Sequence, residues 1–407
     1  MGRYLVVRTA ALPPASKADI LRSYGLDRPL SEQYVRFVWN VAHLNGAGDR
    51  AGRRRCVTSM DKPGAGDTAR GHAAGDHEIN AGPEARVRPA VVVLHAKNRP
   101  SGLEPVEAAA DVRYAATTDE LRAALADAQV VFVADFRSGM LRDTWPHARA
   151  LRWIHHGGAG VDPLLFPELV QSPVVLTNSR GVFDRAMAEY VLGLVLALAK
   201  DLPRTLDLQR RREWLHRESE RVDGRTAVVV GAGSIGREIG RYLRAAGMRV
   251  LGVARRPRAA DPVFERVAGI DELPAVLPEA DYVVLALPLT SETRGLFGAA
   301  ALAKMKGTAR FINVGRGGVV DEAALVEALR SRRIAGAALD VFADEPLPAA
   351  HPFWDLPGVI VSPHMSGDFA GWPAAVSGLF VENFRRWLAG SPLLNVVDKA
   401  RGYVPTG

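Results

Sequence analysis

One segment constrains this chain more than any other. Four strand-forming residues, Ala227-Val228-Val229-Val230, run without a break into Gly231-Ala232-Gly233-Ser234-Ile235-Gly236. A helical pattern from Ser234 to Ala246 follows, closed by Gly247, and a second apolar strand runs from Arg249 to Val253. Each glycine of this G-x-G-x-x-G has a task. Gly231 permits the tight turn, Gly233 lets the backbone approach a pyrophosphate, and Gly236 lets helix and strand pack closely. The anion then sits on the helix N-terminus, where free N–H groups and the dipole favour negative charge. Glycine-rich turns alone serve many ends. With strand, helix and second strand in place, the segment predicts a dinucleotide site formed by Gly231, Gly233, Ser234, Ile235 and Gly236. Leu287 and Pro288, just past one later strand, and Val314 and Gly315, at the end of another, are expected to line the same site.

The end of the second strand selects the cofactor. An NAD site wants a carboxylate there for the ribose 2′-OH. This chain offers Ala254, Arg255, Arg256, Pro257 and Arg258, with no carboxylate until Asp261. Guanidinium groups hold a 2′-phosphate that a carboxylate would repel. NADP is therefore expected, bound through Arg255 and Arg256, with NAD as the alternative.

Strands and helices alternate on both sides of this unit. Ala90 to Leu94, Val130 to Ala134 and Leu151 to His155 read as strands, with a helix from Thr118 to Ala126. After a long apolar helix, from about Ala186 to Asp201, a second series holds strands at Ala227 to Val230, Arg249 to Val253, Tyr282 to Ala286, Ala309 to Val314, Gly336 to Leu339 and Val359 to Val361. Helical patterns run from Ser234 to Ala246 and Glu322 to Arg330, and an amphipathic one from Gly378 to Leu388 suits a return to the first domain. Such alternation predicts parallel α/β sheets. At 407 residues the chain suits two domains. Residues 1–87 differ: the stretch from Asn45 to Pro89 is dominated by Gly, Ala, Asp, Arg and Pro, too poor in apolar surface to offset its ordering entropy. A disordered N-terminal extension is expected there, with a functional start at Met60 as the alternative.

Composition excludes several classes. The single cysteine, Cys56, leaves no disulfide framework and fits a reducing cytoplasm. Met1 to Pro14 lacks the apolar core of a secretory signal, and no apolar run reaches the length of a membrane span. The best candidate, Tyr190 to Ala199, has ten residues and reads as a buried or subunit-packing helix. The net charge of +7 is spread along the chain, and the cluster Arg50, Arg53, Arg54, Arg55 has no interleaved aromatics, so neither nucleic acid nor membrane is an expected partner. No metal site is expected either: His155 and His156 are adjacent, which splays them in a strand, and nothing completes a ligand set.

Three later segments each end a strand in a reactive polar group. Phe311-Ile312-Asn313-Val314-Gly315-Arg316-Gly317-Gly318 presents an arginine, Ala338-Leu339-Asp340-Val341-Phe342-Ala343-Asp344-Glu345-Pro346 carboxylates, and Val359-Ile360-Val361-Ser362-Pro363-His364 a histidine. Ligands of open α/β sheets bind at strand C-termini, so these groups should converge in one cleft. Reducing a 2-keto acid builds negative charge on the carbonyl oxygen. A cation stabilises that charge, an imidazolium delivers the proton, and a neighbouring carboxylate favours the protonated imidazole. A lone His, Arg or Glu-Pro is usually structural; all three in order after a nucleotide fingerprint form an expected catalytic set of Arg316, Glu345 and His364.

From Ala90 to Val404 the chain resembles the D-isomer-specific 2-hydroxyacid dehydrogenases, in particular their glyoxylate/hydroxypyruvate reductases. The resemblance implies a Rossmann cofactor domain and a flavodoxin-like substrate domain, both doubly wound parallel sheets, with a cleft between them. It implies a substrate domain at 88–183 and 374–407 and a dinucleotide-binding domain at 184–373. It implies that Arg316 binds the substrate carboxylate, that His364 is the acid/base oriented by Glu345, and that Asp340 contacts the nicotinamide. In Gly158-Ala159-Gly160-Val161-Asp162 the N–H groups of Ala159 and Gly160 would face the carboxylate. Glu345 stands where formate dehydrogenases of the family carry glutamine, and His156 where phosphoglycerate dehydrogenases commonly carry arginine. A small unphosphorylated 2-keto acid is therefore expected, glyoxylate or hydroxypyruvate first, with Arg137 a further candidate contact. A homodimer packed through the Tyr190 helix and a cleft that closes on its ligands are also implied. The rival reading is a nucleotide-sensing regulator, because relatives of this fold include transcriptional corepressors.

Overall fold

The computed structural model describes residues 88–96, 98–134 and 138–405. The expected disorder of residues 1–87, Cys56, the arginine cluster at 50–55 and Arg137 lie outside the described residues. All described residues belong to one compact unit, Gly82–Gly407.

Runs of β-branched and aliphatic residues too short for helices form buried strands, which need cover on both faces and therefore sit inside parallel sheets. The first sheet takes β1 (Ala90–Leu94), β2 (Asp111–Ala115), β3 (Val130–Val133), β4 (Trp153–His156) and β5 (Val175–Asn178). Its order is β2-β1-β3-β4-β5 and every pairing is parallel, the flavodoxin-like arrangement. The second takes β6 (Thr226–Val230), β7 (Arg249–Ala254), β8 (Val267–Gly269), β9 (Tyr282–Leu285), β10 (Arg310–Asn313), β11 (Gly336–Leu339) and β12 (Val359–Val361). Its order, β12-β11-β10-β9-β6-β7-β8, is all parallel and reverses direction between β6 and β9. That reversal opens a crevice beside the glycine-rich turn, where ligands of such sheets bind.

Two long helices carry the chain from one half to the other and back. The helix Asp184–Ala199 turns Ala188, Val191 and Val195 into the same core as Ile239 and Leu243 of the helix Ser234–Ala245. The helix Trp372–Leu388 returns to the first sheet, where Phe380 stacks on Phe132 at 4.3 Å and on Trp153 at 5.4 Å. It begins six residues before the sequence reading placed it, because Pro373 sits in the first turn, where its missing N–H costs nothing. Beyond it, Val396 bridges to Thr177 of β5.

β2, β5 and β8 were not expected from the sequence. β2 is a half-exposed edge strand with alternating polar residues, β5 ends in Thr177 and Asn178, and β8 has three residues. None carries an apolar run long enough to announce itself.

Candidate active site

The turn after β10 is set by a buried side chain. Asn313 accepts the Gly315 N–H through Oδ1 (3.0 Å) and donates Nδ2 to the Arg316 carbonyl (3.1 Å), closing the turn from within. The Arg316 guanidinium then leaves the second sheet for the first. Its Nε donates to Asp162 Oδ1 at 2.9 Å and its Nη1 to the Gly315 carbonyl at 2.8 Å. Nη2 lies against Gly160 so closely that a Cβ there would fall 1.7 Å from it, so a larger residue would displace the guanidinium from this position. Asn178 Nδ2 holds the Ala159 carbonyl at 2.5 Å and the Ser179 N–H the Gly158 carbonyl at 3.0 Å, so β5 fixes this loop. Among the described residues the N–H groups of Ala159 and Gly160 donate to no protein acceptor.

His364 lies just past β12, in the left-handed region at φ 52°, a conformation held by the Asp340 carbonyl, which accepts its N–H at 2.8 Å. Its Nδ1 stands 2.7 Å from Glu345 Oε2, and the Phe342 N–H binds Glu345 Oε1 at 2.9 Å. Burial works against ionisation of Glu345, but the His364 hydrogen bond and the Phe342 N–H together hold its carboxyl below the ordinary value. An ionised carboxylate only accepts, so Nδ1 carries the proton and Nε2 is the imidazole atom turned away from Glu345. Arg316 adds to the stabilisation of the Glu345 charge, so the three side chains share one electrostatic field.

Asp340, expected at the nicotinamide, is wholly buried with its carboxylate turned into the segment carrying His364. It accepts from Ser362 Oγ (2.6 Å), Met365 N (3.0 Å) and Ser366 N (2.8 Å). The two adjacent histidines part company. His155 joins the cluster of Phe132 and Phe380, bonds Thr177 at 2.8 Å and is driven down to about 3 by burial. His156 faces the 158–160 loop and is pushed down to about 4 by burial and by Arg316, so it is neutral at physiological pH.

At the nucleotide turn, Gly231 has φ 111°, and a Cβ on Gly236 would fall 1.9 Å from the Gly231 carbonyl oxygen. Around Gly233 the space that a Cβ would occupy is open to 4 Å, the kind of cradle a pyrophosphate needs. Ser234 Oγ donates to Asp184, which starts the neighbouring helix, while Ile235 packs partly buried against the core. Leu287 and Pro288 follow β9, the Pro288 carbonyl accepting from Thr293 Oγ1 at 2.7 Å; Val314 and Gly315 are buried beside them.

Arg255 and Arg256 are exposed after β7, and neither makes an ion pair among the described residues. Asp261, the first carboxylate past this strand, is committed elsewhere: Arg237 Nη2 reaches it at 2.6 Å and Arg258 Nε at 3.3 Å, and the N–H groups of Val263 and Phe264 bond it. Arg258 nevertheless keeps Nε and Nη2 buried without a hydrogen bond. The sequence reading gave no role to Arg258 or Asp162, although both lie in segments it quoted. For Asp162 the available signal was an acid closing the loop that faces Arg316.

The family described as "D-isomer specific 2-hydroxyacid dehydrogenase, NAD binding domain" matches residues 192–366. The D-3-phosphoglycerate dehydrogenase of Methanocaldococcus jannaschii is 33% identical over 69% of this chain, which spans only 54% of that enzyme's length. Among solved structures, a D-isomer specific 2-hydroxyacid dehydrogenase from Xanthobacter autotrophicus Py2, in complex with NADPH and MES, is 36% identical. The match covers 78% of this chain and all of that one, with a TM-score of 0.67. An NADPH-dependent glyoxylate/hydroxypyruvate reductase from Sinorhizobium meliloti, in complex with NADP and sulfate, is 30% identical over 77% of this chain and 100% of that one, with a TM-score of 0.65.

Proposed function

The chain belongs to the D-isomer specific 2-hydroxyacid dehydrogenase family, and from that premise we propose that it is an NADPH-dependent reductase of a small, unphosphorylated 2-keto acid, glyoxylate or hydroxypyruvate before others. The observation that carries this reading is the convergence of the Arg316 guanidinium on the Ala159–Gly160 loop with a His364–Glu345 pair at 2.7 Å on the same sheet edge.

Arg316 Nη2 and the N–H groups of Ala159 and Gly160 offer donors from both halves to a carboxylate lying between them. Asp162 holds Nε, so the guanidinium keeps its direction without a ligand. The nicotinamide, when bound, supplies the hydride. His364 Nε2 gives the proton that the carbonyl oxygen takes up, and Glu345 keeps the imidazole in the right tautomer and steadies its positive charge. Asp340 fixes the turn from which His364 projects. Neutral His156 brings no charge for a phosphate, in line with an unphosphorylated substrate.

Arg255 and Arg256 suit a 2′-phosphate, and Asp261 is too heavily paired to serve a ribose hydroxyl. NAD remains the alternative cofactor. The proposed division is a substrate domain at 88–183 and 374–407 and a dinucleotide-binding domain at 184–373, closing on both ligands to exclude water. Small-angle scattering without compaction on adding both ligands would count against closure. A homodimer in the cytoplasm, packed through the helix that holds Tyr190, completes the reading, and light scattering on the purified protein would test it; Leu202, Leu206, Trp214 and Leu215, which follow that helix in the chain, are exposed apolar side chains. A panel of 2-keto acids assayed with NADPH and NADH side by side tests the whole. NADPH binding with no turnover on any of them would overturn it in favour of a nucleotide-sensing regulator.

A further inference from the structure

The last residues of the described chain reach back to the cofactor loop. Residues 395–399 are fastened to the five-stranded half: Val396 bridges to Thr177, the Val397 N–H bonds the Leu176 carbonyl at 2.8 Å, and Lys399 Nζ donates to the carbonyls of Leu169, Ser172 and Val174 at 2.9, 2.6 and 2.9 Å. From there residues 398–403 close on themselves. Asp398 N–H bonds the Tyr403 carbonyl (3.1 Å), Gly402 N–H bonds the Asp398 carbonyl (2.8 Å), and Asp398 Oδ1 takes the N–H groups of Ala400 and Arg401 at 3.1 Å each. Gly402, at φ 78°, brings this knob down between the halves: a Cβ on it would stand 3.1 Å from Leu165 and 3.8 Å from Thr290, which follows β9. Val404 packs into the core of the first sheet. Tyr403 is thus delivered by a folded and anchored element, and its ring centre lies 5.6 Å from Arg255 Cζ.

We propose that Tyr403 is a positioning residue for recognition of the 2′-phosphate, its ring holding the Arg255 guanidinium from the opposite half of the molecule. The inference rests on the NADPH reading above. Arg255 is exposed and makes no ion pair among the described residues, so without the ring its long side chain would sample many rotamers. An aromatic face attracts the cation without neutralising it, leaving the guanidinium edge free for phosphate oxygens, whereas a carboxylate in the same place would compete with them. Because Tyr403 rides on the substrate half and Arg255 on the nucleotide half, recognition of the 2′-phosphate is also tied to how the halves stand.

The test compares binding of 2′,5′-ADP and 5′-AMP by calorimetry, since their affinity ratio isolates the 2′-phosphate and needs no turnover. Wild type, Tyr403→Phe, Tyr403→Leu, Arg255→Ala and the double variant Tyr403→Leu/Arg255→Ala are measured, each with a thermal melt. The proposal expects Tyr403→Phe to keep the wild-type ratio and Tyr403→Leu to lower it by about 2- to 5-fold. In the Arg255→Ala background Tyr403→Leu should lower it no further. Should the leucine variant unfold, Tyr403→Met, which keeps bulk but not the ring, takes its place. A ratio that falls in Arg255→Ala but survives loss of the ring overturns this proposal alone. A wild-type ratio near one removes the NADPH reading and the proposal with it.

Discussion

The two ends of the cleft are built by opposite means. At the proposed catalytic end each side chain has a hydrogen-bonded partner that fixes it: Glu345 for His364, Asp162 for Arg316, Asp340 for the His364 turn and Asn313 for the Arg316 turn. At the proposed 2′-phosphate end Arg255 and Arg256 are exposed, with the Tyr403 ring beside Arg255 as support. The difference teaches where precision is needed. Proton delivery fails if an atom is misplaced by an ångström, whereas a doubly charged phosphate is attracted over several ångströms and tolerates an adjustable cation. Damage at the first end should therefore show in kcat, and damage at the second in cofactor affinity.

The largest break comes from His364→Ala, which should lower kcat with NADPH and glyoxylate or hydroxypyruvate by about 10²- to 10⁴-fold while NADPH still binds. Steady-state kinetics beside a fluorescence titration of NADPH would check both halves of that statement. Next is Glu345→Gln. Loss of a charge-assisted hydrogen bond should cost roughly 10- to 100-fold in kcat with little change in NADPH affinity.

The same variant carries a pH signature. The folded Glu345 carboxyl lies below its ordinary value of 4.5, so the stability it contributes is complete above that value and lost as pH falls through the lower folded value. The melting-temperature gap between wild type and Glu345→Gln should accordingly hold steady from neutral pH down to about 4.5 and close only below it.

At the other end, replacing Arg255 and Arg256 together by alanine should raise the KM for NADPH by about tenfold or more, with a much smaller effect on NADH. Equal effects on the two cofactors would sink the NADP assignment. The smallest effect sharpens the contrast. Asp162→Asn keeps a hydrogen-bond acceptor for Arg316 but removes its countercharge, and should raise the KM for the keto acid by about 2- to 5-fold with kcat nearly intact. A larger loss in kcat would mean that Asp162 aligns Arg316 for the chemical step.

Much of the scaffold was legible in the chain because its causes are local. β1, β11 and β12 and the helix Glu322–Arg330 stand where apolar runs and helical spacing put them, and the glycine turn between β6 and β7 carries the backbone room that its spacing implied. The segments that hold Arg316, Glu345 and His364 stood out because each follows a readable strand end. β2, β5 and β8 could not, since edge position and shortness remove the apolar run on which such reading depends.

The sequence by itself determined the α/β class, the nucleotide turn and the order of the reactive groups, all of which follow from residues within a few positions of one another. Only the tertiary structure decided what surrounds them. Asp162 meets Arg316 across 154 residues, and Asp340 turns its carboxylate into the His364 segment. Asp261 belongs to Arg237 and Arg258, and Tyr403 comes to rest against Arg255. Several of these partners are brought together from distant parts of the chain only once both sheets are formed. No local pattern encodes which charge will find which.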